Sequence, residues 1–232
     1  MKTNKERFPD SEIGANSKIG PCSVIGAYSM IGTNSKIGPC SVIGAYSMIG
    51  TNSRIGSYSQ IGVGSRIGPN SRIGADSVIG AGSVIGADSV IVARSVIGPN
   101  SRIGAYSRIG ADSEIGAGSK IGADSVLGAN SKLGADSVIG AYSWIGAGSK
   151  IGAGSKLGPN SVIDTYSVIE AHHLSKYTWN LYDDLRSGVP VKILSFGCVT
   201  LPLSVFRDNL EALCAHHNPK ILPELRDLLA TL

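Results

Sequence analysis

The sequence predicts an all-β solenoid, in which short strands and tight corners wind into a three-sided prism. Three observations lead there. From Ser11 to Ala171 the chain repeats one six-residue unit, Ser-x-Ile-Gly-x-x, with an aliphatic residue at every sixth position from Ile13 to Ile169. The phase is never broken: Leu replaces Ile only at Leu127, Leu133 and Leu157, and Gly follows the aliphatic except at Val92, Asp164 and Glu170. Finally, residues 17–34, SKIGPCSVIGAYSMIGTN, recur identically at 35–52, a shift of eighteen residues, or three hexads.

A period of six is no helix period. Ser and Ile lie two apart around a variable residue, which is strand alternation: Ser and Ile share one face and the middle residue takes the other. So short a strand is not stable alone. The residues that follow, as in Gly-Ala-Asn, Gly-Pro-Cys and Gly-Ala-Asp, supply a corner, because Gly, Asn and Asp tolerate a positive φ. A strand and a corner repeated without interruption make a solenoid, whose coils must stack to bury their inner faces. With three hexads to a coil, the twenty-seven hexads form about nine coils of eighteen residues. Stacked at the strand spacing, they span roughly 38 Å. Ile columns fill the shaft, and small Ser residues near the corners are placed to bond corner backbone.

Eighteen-residue stacking also assigns the surface. One face carries Lys18, Lys36, Arg54, Arg72, Val90, Arg108, Val126, Trp144 and Val162. A second carries Glu12, Met30, Met48, Arg66, Val84, Arg102, Lys120, Val138 and Lys156. The third carries Val24, Val42, Gln60, Val78, Val96, Glu114, Lys132, Lys150 and Val168. At the corners Asn16, Asn34, Asn52 and Asn70 form a column suited to an amide ladder. Tyr28 stacks on Tyr46 and Cys22 on Cys40, close enough for a disulfide, although reduced packed thiols are the reading that suits a chain without a secretion signal. The Lys18–Arg72 column reads first as a solubilising face and second as an anion-binding one. Thr33 and Thr51 lie outside the strands, so no Thr rank supports ice binding.

The motifs IGANSK and IGADSV resemble the hexapeptide-repeat superfamily, whose unit is an aliphatic residue, Gly, two variable residues, a small residue and one more. The resemblance spans about two thirds of the chain and implies a left-handed parallel β-helix of triangular section. Many members are acyltransferases using acyl-CoA or acyl carrier protein, with a His as general base in a cleft between subunits of a trimer. Members with carbonic anhydrase activity place zinc-binding His on their coils. Here the coils hold no His before His172 and extrude no loop. Under the enzyme reading His172 or His173 is the base and acyl-CoA the cofactor; otherwise the pair is a polar end-cap. His216 and His217 suit a helix C-terminus. No catalytic, cofactor or metal site is assigned in the leading reading, which is a structural, self-associating rod, dimeric or trimeric. Its monotony suggests an idealised, consensus-like or engineered sequence, or a recently expanded natural repeat.

The chain divides into a polar lead (1–10), the repeat block (11–171) and a C-terminal cap or oligomerisation segment (172–232). The lead leaves the first coil bare unless Phe8-Pro9 lies across it. The tail has little Gly and more Leu, aromatics and charge. SKYTWNLYDDLRSG is expected to contain a short helix, VPVKILSFGCVTL to be extended, and Leu203–His217 and a stretch opening at Pro223 to form amphipathic helices. This makes a mainly helical cap. The formal net charge is +4, which requires neither a nucleic-acid nor a membrane partner. No signal peptide or membrane span is expected, and four Cys without a CxxC suit the cytoplasm. If the tail drives assembly, removing residues 203–232 reduces the mass in solution to that of a monomer; an unchanged mass assigns assembly to the coils.

Overall fold

The computed structural model describes residues 7–163 and Thr165 in full, and residues 168–174, 177–184, 191–196 and 199–202 by backbone. Each hexad forms one two-residue strand, from β1 (Glu12–Ile13) to β26 (Val162–Ile163), and β27 (Val168–Leu174) closes the series. Every third strand pairs in parallel register at a shift of eighteen: Glu12 with Met30, Lys18 with Lys36, Val24 with Val42. The result is three parallel sheets of nine strands each, the third of which continues beyond β27. We call their outer surfaces face I (Glu12 to Lys156), face II (Lys18 to Val162) and face III (Val24 to Val168); their membership is that expected from the repeat.

The core is the column of inward aliphatics. Ile97 and Ile109 have no exposed surface, and the shaft is buried from Ile25 to Ile163. Burying such a side chain stabilises by about 1.5–3 kcal/mol. Beside it, Ser29 to Ser113 are all fully buried. A buried hydroxyl must be bonded, and all but Ser77 donate to a Gly carbonyl of the next coil: Ser29 Oγ to that of Gly44 at 2.9 Å and Ser35 Oγ to that of Gly50 at 2.9 Å. Ser is therefore a tie between coils. The backbone adds further bonds between coils. Lys36 N–H donates to Ser53 C=O, Gly38 N–H to Ile55 C=O, and Asn34 N–H to Ala15 C=O in the coil before, at 2.8–2.9 Å.

Two features explain the corner residues. The third residue after each core aliphatic has a positive φ of 55–72°. Asn, Asp and Gly suit this, but five Tyr, two Cys and Arg94 also hold it, at about 1–2 kcal/mol each for a residue with an ordinary Cβ. The Gly directly after the aliphatic has an ordinary φ and is required for a different reason. A Cβ on Gly104 would lie 2.3 Å from the backbone N of Ala123 in the next coil.

The N-terminal end is covered by the lead itself, with Phe8 lying across the first coil as one of the two expected arrangements had it. Phe8 is buried and joins the core cluster with Ile13 and Ile19 packed against it. The Arg7 guanidinium lies 4.9 Å from the Phe8 ring centroid and donates to the carbonyls of Ile19 and Gly20. In every later coil those two acceptors are served by a Gly N–H and a Ser hydroxyl from the coil before; Arg7 stands in for both.

At the other end, β27 pairs antiparallel with β28 (Tyr177–Asp184), which pairs with β29 (Val191–Phe196) and then β30 (Val199–Pro202). The third sheet thus reaches twelve strands. The short helix expected within SKYTWNLYDDLRSG is therefore a strand, because the open edge at β27 offers a row of backbone groups that an extended segment satisfies. The extended reading of VPVKILSFGCVTL holds. The two helices expected from Leu203 onward lie outside the described residues.

Gly104→Ala, forced against backbone, should unfold the protein or cost about 3 kcal/mol or more. Gly64→Ala, in open space at φ +67°, should cost only about 1–2 kcal/mol. Thermal melts of the two variants measure the difference.

Candidate functional site

The sequence-nominated base lies at the end of the coils. His172 and His173 are on β27, in register with Trp179 and Thr178 of β28, and are described by backbone only. His216 and His217 lie outside the described residues. In backbone register, neither His172 nor His173 faces another of the residues singled out from the sequence. Among the described residues no three His, Cys, Asp or Glu gather as a metal site. No helix among them is long and apolar enough to cross a membrane.

Among the described residues two grooves follow the Gly columns, where missing side chains leave a channel between outward strand residues and corners. On face I a groove of about 740 Å³ runs over five coils, lined by Glu12, Met30, Met48, Arg66 and Val84 with Thr33, Thr51 and Pro69 along it. A second, of about 550 Å³, runs along face III past Val96, Glu114, Lys132 and Lys150. Lys132 Nζ there lies 3.2 Å from Glu114 Oε1. Neither groove holds a His or a nucleophile beside a base. The Ser hydroxyls nearby are committed to Gly carbonyls. These channels offer surface without reactive groups.

The corner Val92-Ala93-Arg94 departs from the rule. Val92 stands where Gly is otherwise required, and the coils spread around it. Ser77 Oγ reaches the Val92 carbonyl at 3.2 Å, against 2.8–3.0 Å for the equivalent bonds of Ser17 to Ser71. Asp112 N–H lies 3.2 Å from Ala93 C=O. Across this loosened step Arg94 grips Asp112 with two bonds, Nε–Oδ1 at 2.6 Å and Nη2–Oδ2 at 2.7 Å. The guanidinium's hydrogen bonds hold the Asp112 carboxyl below its ordinary value. Arg94 is raised in turn, by the hydrogen bond and charge of Asp112 and then by Asp76. The clue was present: the one Gly-rule exception within the regular coils sits two residues before a cation, with an acid eighteen residues further on.

The other corner columns follow the stacking. Cys22 and Cys40 are free thiols. Partial burial, and then the hydrogen bond and charge of Cys22, push the Cys40 thiol up, which keeps it protonated. Tyr28 and Tyr46 stack with centroids 5.3 Å apart at 20°. Asn52 Nδ2 donates to Asn70 Oδ1 at 3.4 Å, one rung of the amide ladder.

Three sheets, one hexad per side and one coil per eighteen residues define a triangular β-helix. Residues 136–171 match the family described as bacterial transferase hexapeptide (six repeats), and residues 47–143 match the GMPPB C-terminal domain. Over residues 136–171 the chain carries the hexapeptide repeat that the first of these families describes. No curated protein sequence matches it. Among solved structures, it is similar to the UDP-N-acetylglucosamine O-acyltransferase of Moraxella catarrhalis, at 23% identity over 72% of this chain and 74% of that one, with a TM-score of 0.34. The UDP-N-acetylglucosamine acyltransferase of Bacteroides fragilis aligns at 18% identity over 73% and 71%, with a TM-score of 0.39. The Arabidopsis acyltransferase of the same description aligns at 18% identity over 69% of each chain, with a TM-score of 0.37.

A carboxyl with a lowered folded-state pKa contributes stability above its unfolded value of ~3.9, which is lost as pH falls through the lowered value. Asp112→Asn should therefore lower the melting temperature slightly at neutral pH, since the pair is exposed. The difference from the parent protein should vanish in strong acid. A pH series of melts on both proteins checks this.

Proposed function

We propose that this protein is a structural rod, a self-associating scaffold whose coils present surface and carry out no chemistry. One observation carries the reading: the hexad register from Glu12 to Ile163 proceeds without an inserted loop. On scaffolds of stacked repeats, loops are where catalytic groups gather, and here each corner has the same short form. The exposed apolar side chains support self-association. Val24, Tyr28 and Met30 on one coil, and Val42, Tyr46 and Met48 on the next, wrap the edge between faces III and I, and all are 42–64% exposed. A patch of this kind suits contact with another copy.

The competing reading is an acyltransferase with His172 or His173 as base. It requires acyl-CoA to bind, and an acyl-CoA-dependent activity to disappear in His172→Ala or His173→Ala. The scaffold reading expects no heat when acetyl-CoA or a longer acyl-CoA is titrated into the full chain. Saturable heat together with turnover that either His variant abolishes overturns it.

A further inference from the structure

Charge is unevenly distributed along the prism. Residues 13–75 contain five cations, Lys18, Lys36, Arg54, Arg66 and Arg72, and no Asp or Glu. From Asp76 to Glu170 acids and bases mix and meet: Arg94 binds Asp112, and Lys132 binds Glu114. Four of the five N-terminal cations stand on face II in unbroken register, Lys18 over Lys36, Lys36 over Arg54 and Arg54 over Arg72. All four are exposed. Among the described residues no carboxylate is bonded to any of them. The nearest in sequence are Glu12, on face I, and Asp76, at the corner beyond Arg72.

Like charges repeated at the strand spacing repel, and a purely solubilising face has no need to collect them in one column. Later coils also stack two cations, Arg102 over Lys120 and Lys132 over Lys150, but there acids intervene, as at Glu114 beneath Lys132 and Asp112 beside Arg94. Beside the column runs a second rank. Asn16, Asn34, Asn52 and Asn70 each precede one of the cations by two residues, at the corner between faces I and II, and are exposed. Each of four successive coils thus presents an amide and a cation side by side, at steps of about 4.8 Å along a straight axis.

We propose that this rank is a docking surface for a linear anionic polysaccharide of the uronic-acid class. Such a chain is stiff, extended and regularly charged, with one carboxylate per sugar, so the carboxylates on its near side lie along the straight row of cations. The Asn amides, donors and acceptors both, face the ring hydroxyls between the charges. Single-stranded nucleic acid fits less well. Its binding surfaces interleave aromatic platforms with the cations, and the outward residues of these four coils on face II are Lys and Arg only. Tyr58, exposed at the far edge beside Arg54, is the lone aromatic corner next to this stretch of face II, and one ring suits the apolar side of one sugar.

The test uses the full chain and a fluorescently labelled oligogalacturonate, followed by anisotropy at low and at physiological salt. Binding should be seen at low salt and weaken as salt rises, because screening acts on exposed charges. Lys36→Glu combined with Arg54→Glu should weaken it by roughly tenfold or more. The control pair Lys132→Glu and Lys150→Glu, on face III of later coils, should leave it within about twofold. Melting curves establish that both variants are folded. The proposal is overturned by an absence of binding at low salt, by equal loss in the control pair, or by tighter binding of a labelled single-stranded oligodeoxynucleotide.

Discussion

The separation between successive coils governs the rest of this protein. Backbone must approach backbone at every corner for the ladder bonds, the Ser ties and the Ile contacts to form together. Only a residue without a Cβ permits that approach, as the 2.3 Å clearance at Gly104 shows. The Gly after each core aliphatic is therefore a spacing device. Ser belongs to the same requirement: its hydroxyl is short enough to stay in the shaft wall and still reach the Gly carbonyl of the next coil. Val92 demonstrates the rule by exception. Beside it the Asp112–Ala93 backbone bond to the next coil lengthens to 3.2 Å, and the Arg94–Asp112 pair bridges the same step from outside.

The same constraint explains what was legible beforehand. Stacking at eighteen residues places Lys18 over Lys36 and Ile13 under Ile31 by arithmetic, so the sheets, the shaft and the three faces could be read directly. The segment Tyr177–Asp184 could not be read so well. A short helix is expected there from sequence, yet Tyr177, Thr178, Trp179 and Tyr182 are strand-favouring residues. The decisive term was distant in sequence, the unpaired edge at Val168–Leu174. Phe8 and Arg7 were similarly ambiguous, since a plug and a frayed end have the same local sequence. What separates them is the set of carbonyls on Ile19 and Gly20, visible as orphans only once the coil is built. On the candidate site, the sequence located His172 and His173 at the last coil but contains no motif that assembles a partner for them.

The surface is under weaker constraint than the core, and there the sequence varies. Outward strand positions accept Lys, Arg, Glu, Gln, Met, Val and Trp because none touches the shaft. Corner positions accept Tyr, Cys and Arg at positive φ despite the backbone cost. Variation that the fold does not demand is where binding specificity can reside, and the separation of cations from acids along the axis belongs to that variable layer.

The identical coils at 17–34 and 35–52 have one more implication. Because the second block repeats the first residue for residue, excising one of them joins Ile31 to a partner with the same side chains in the same register, and every tie is remade. Inserting another copy does the same in reverse. The prism can thus shorten or lengthen by whole turns without any loss of fit, which makes its length a quantity that a single in-frame genetic event can set.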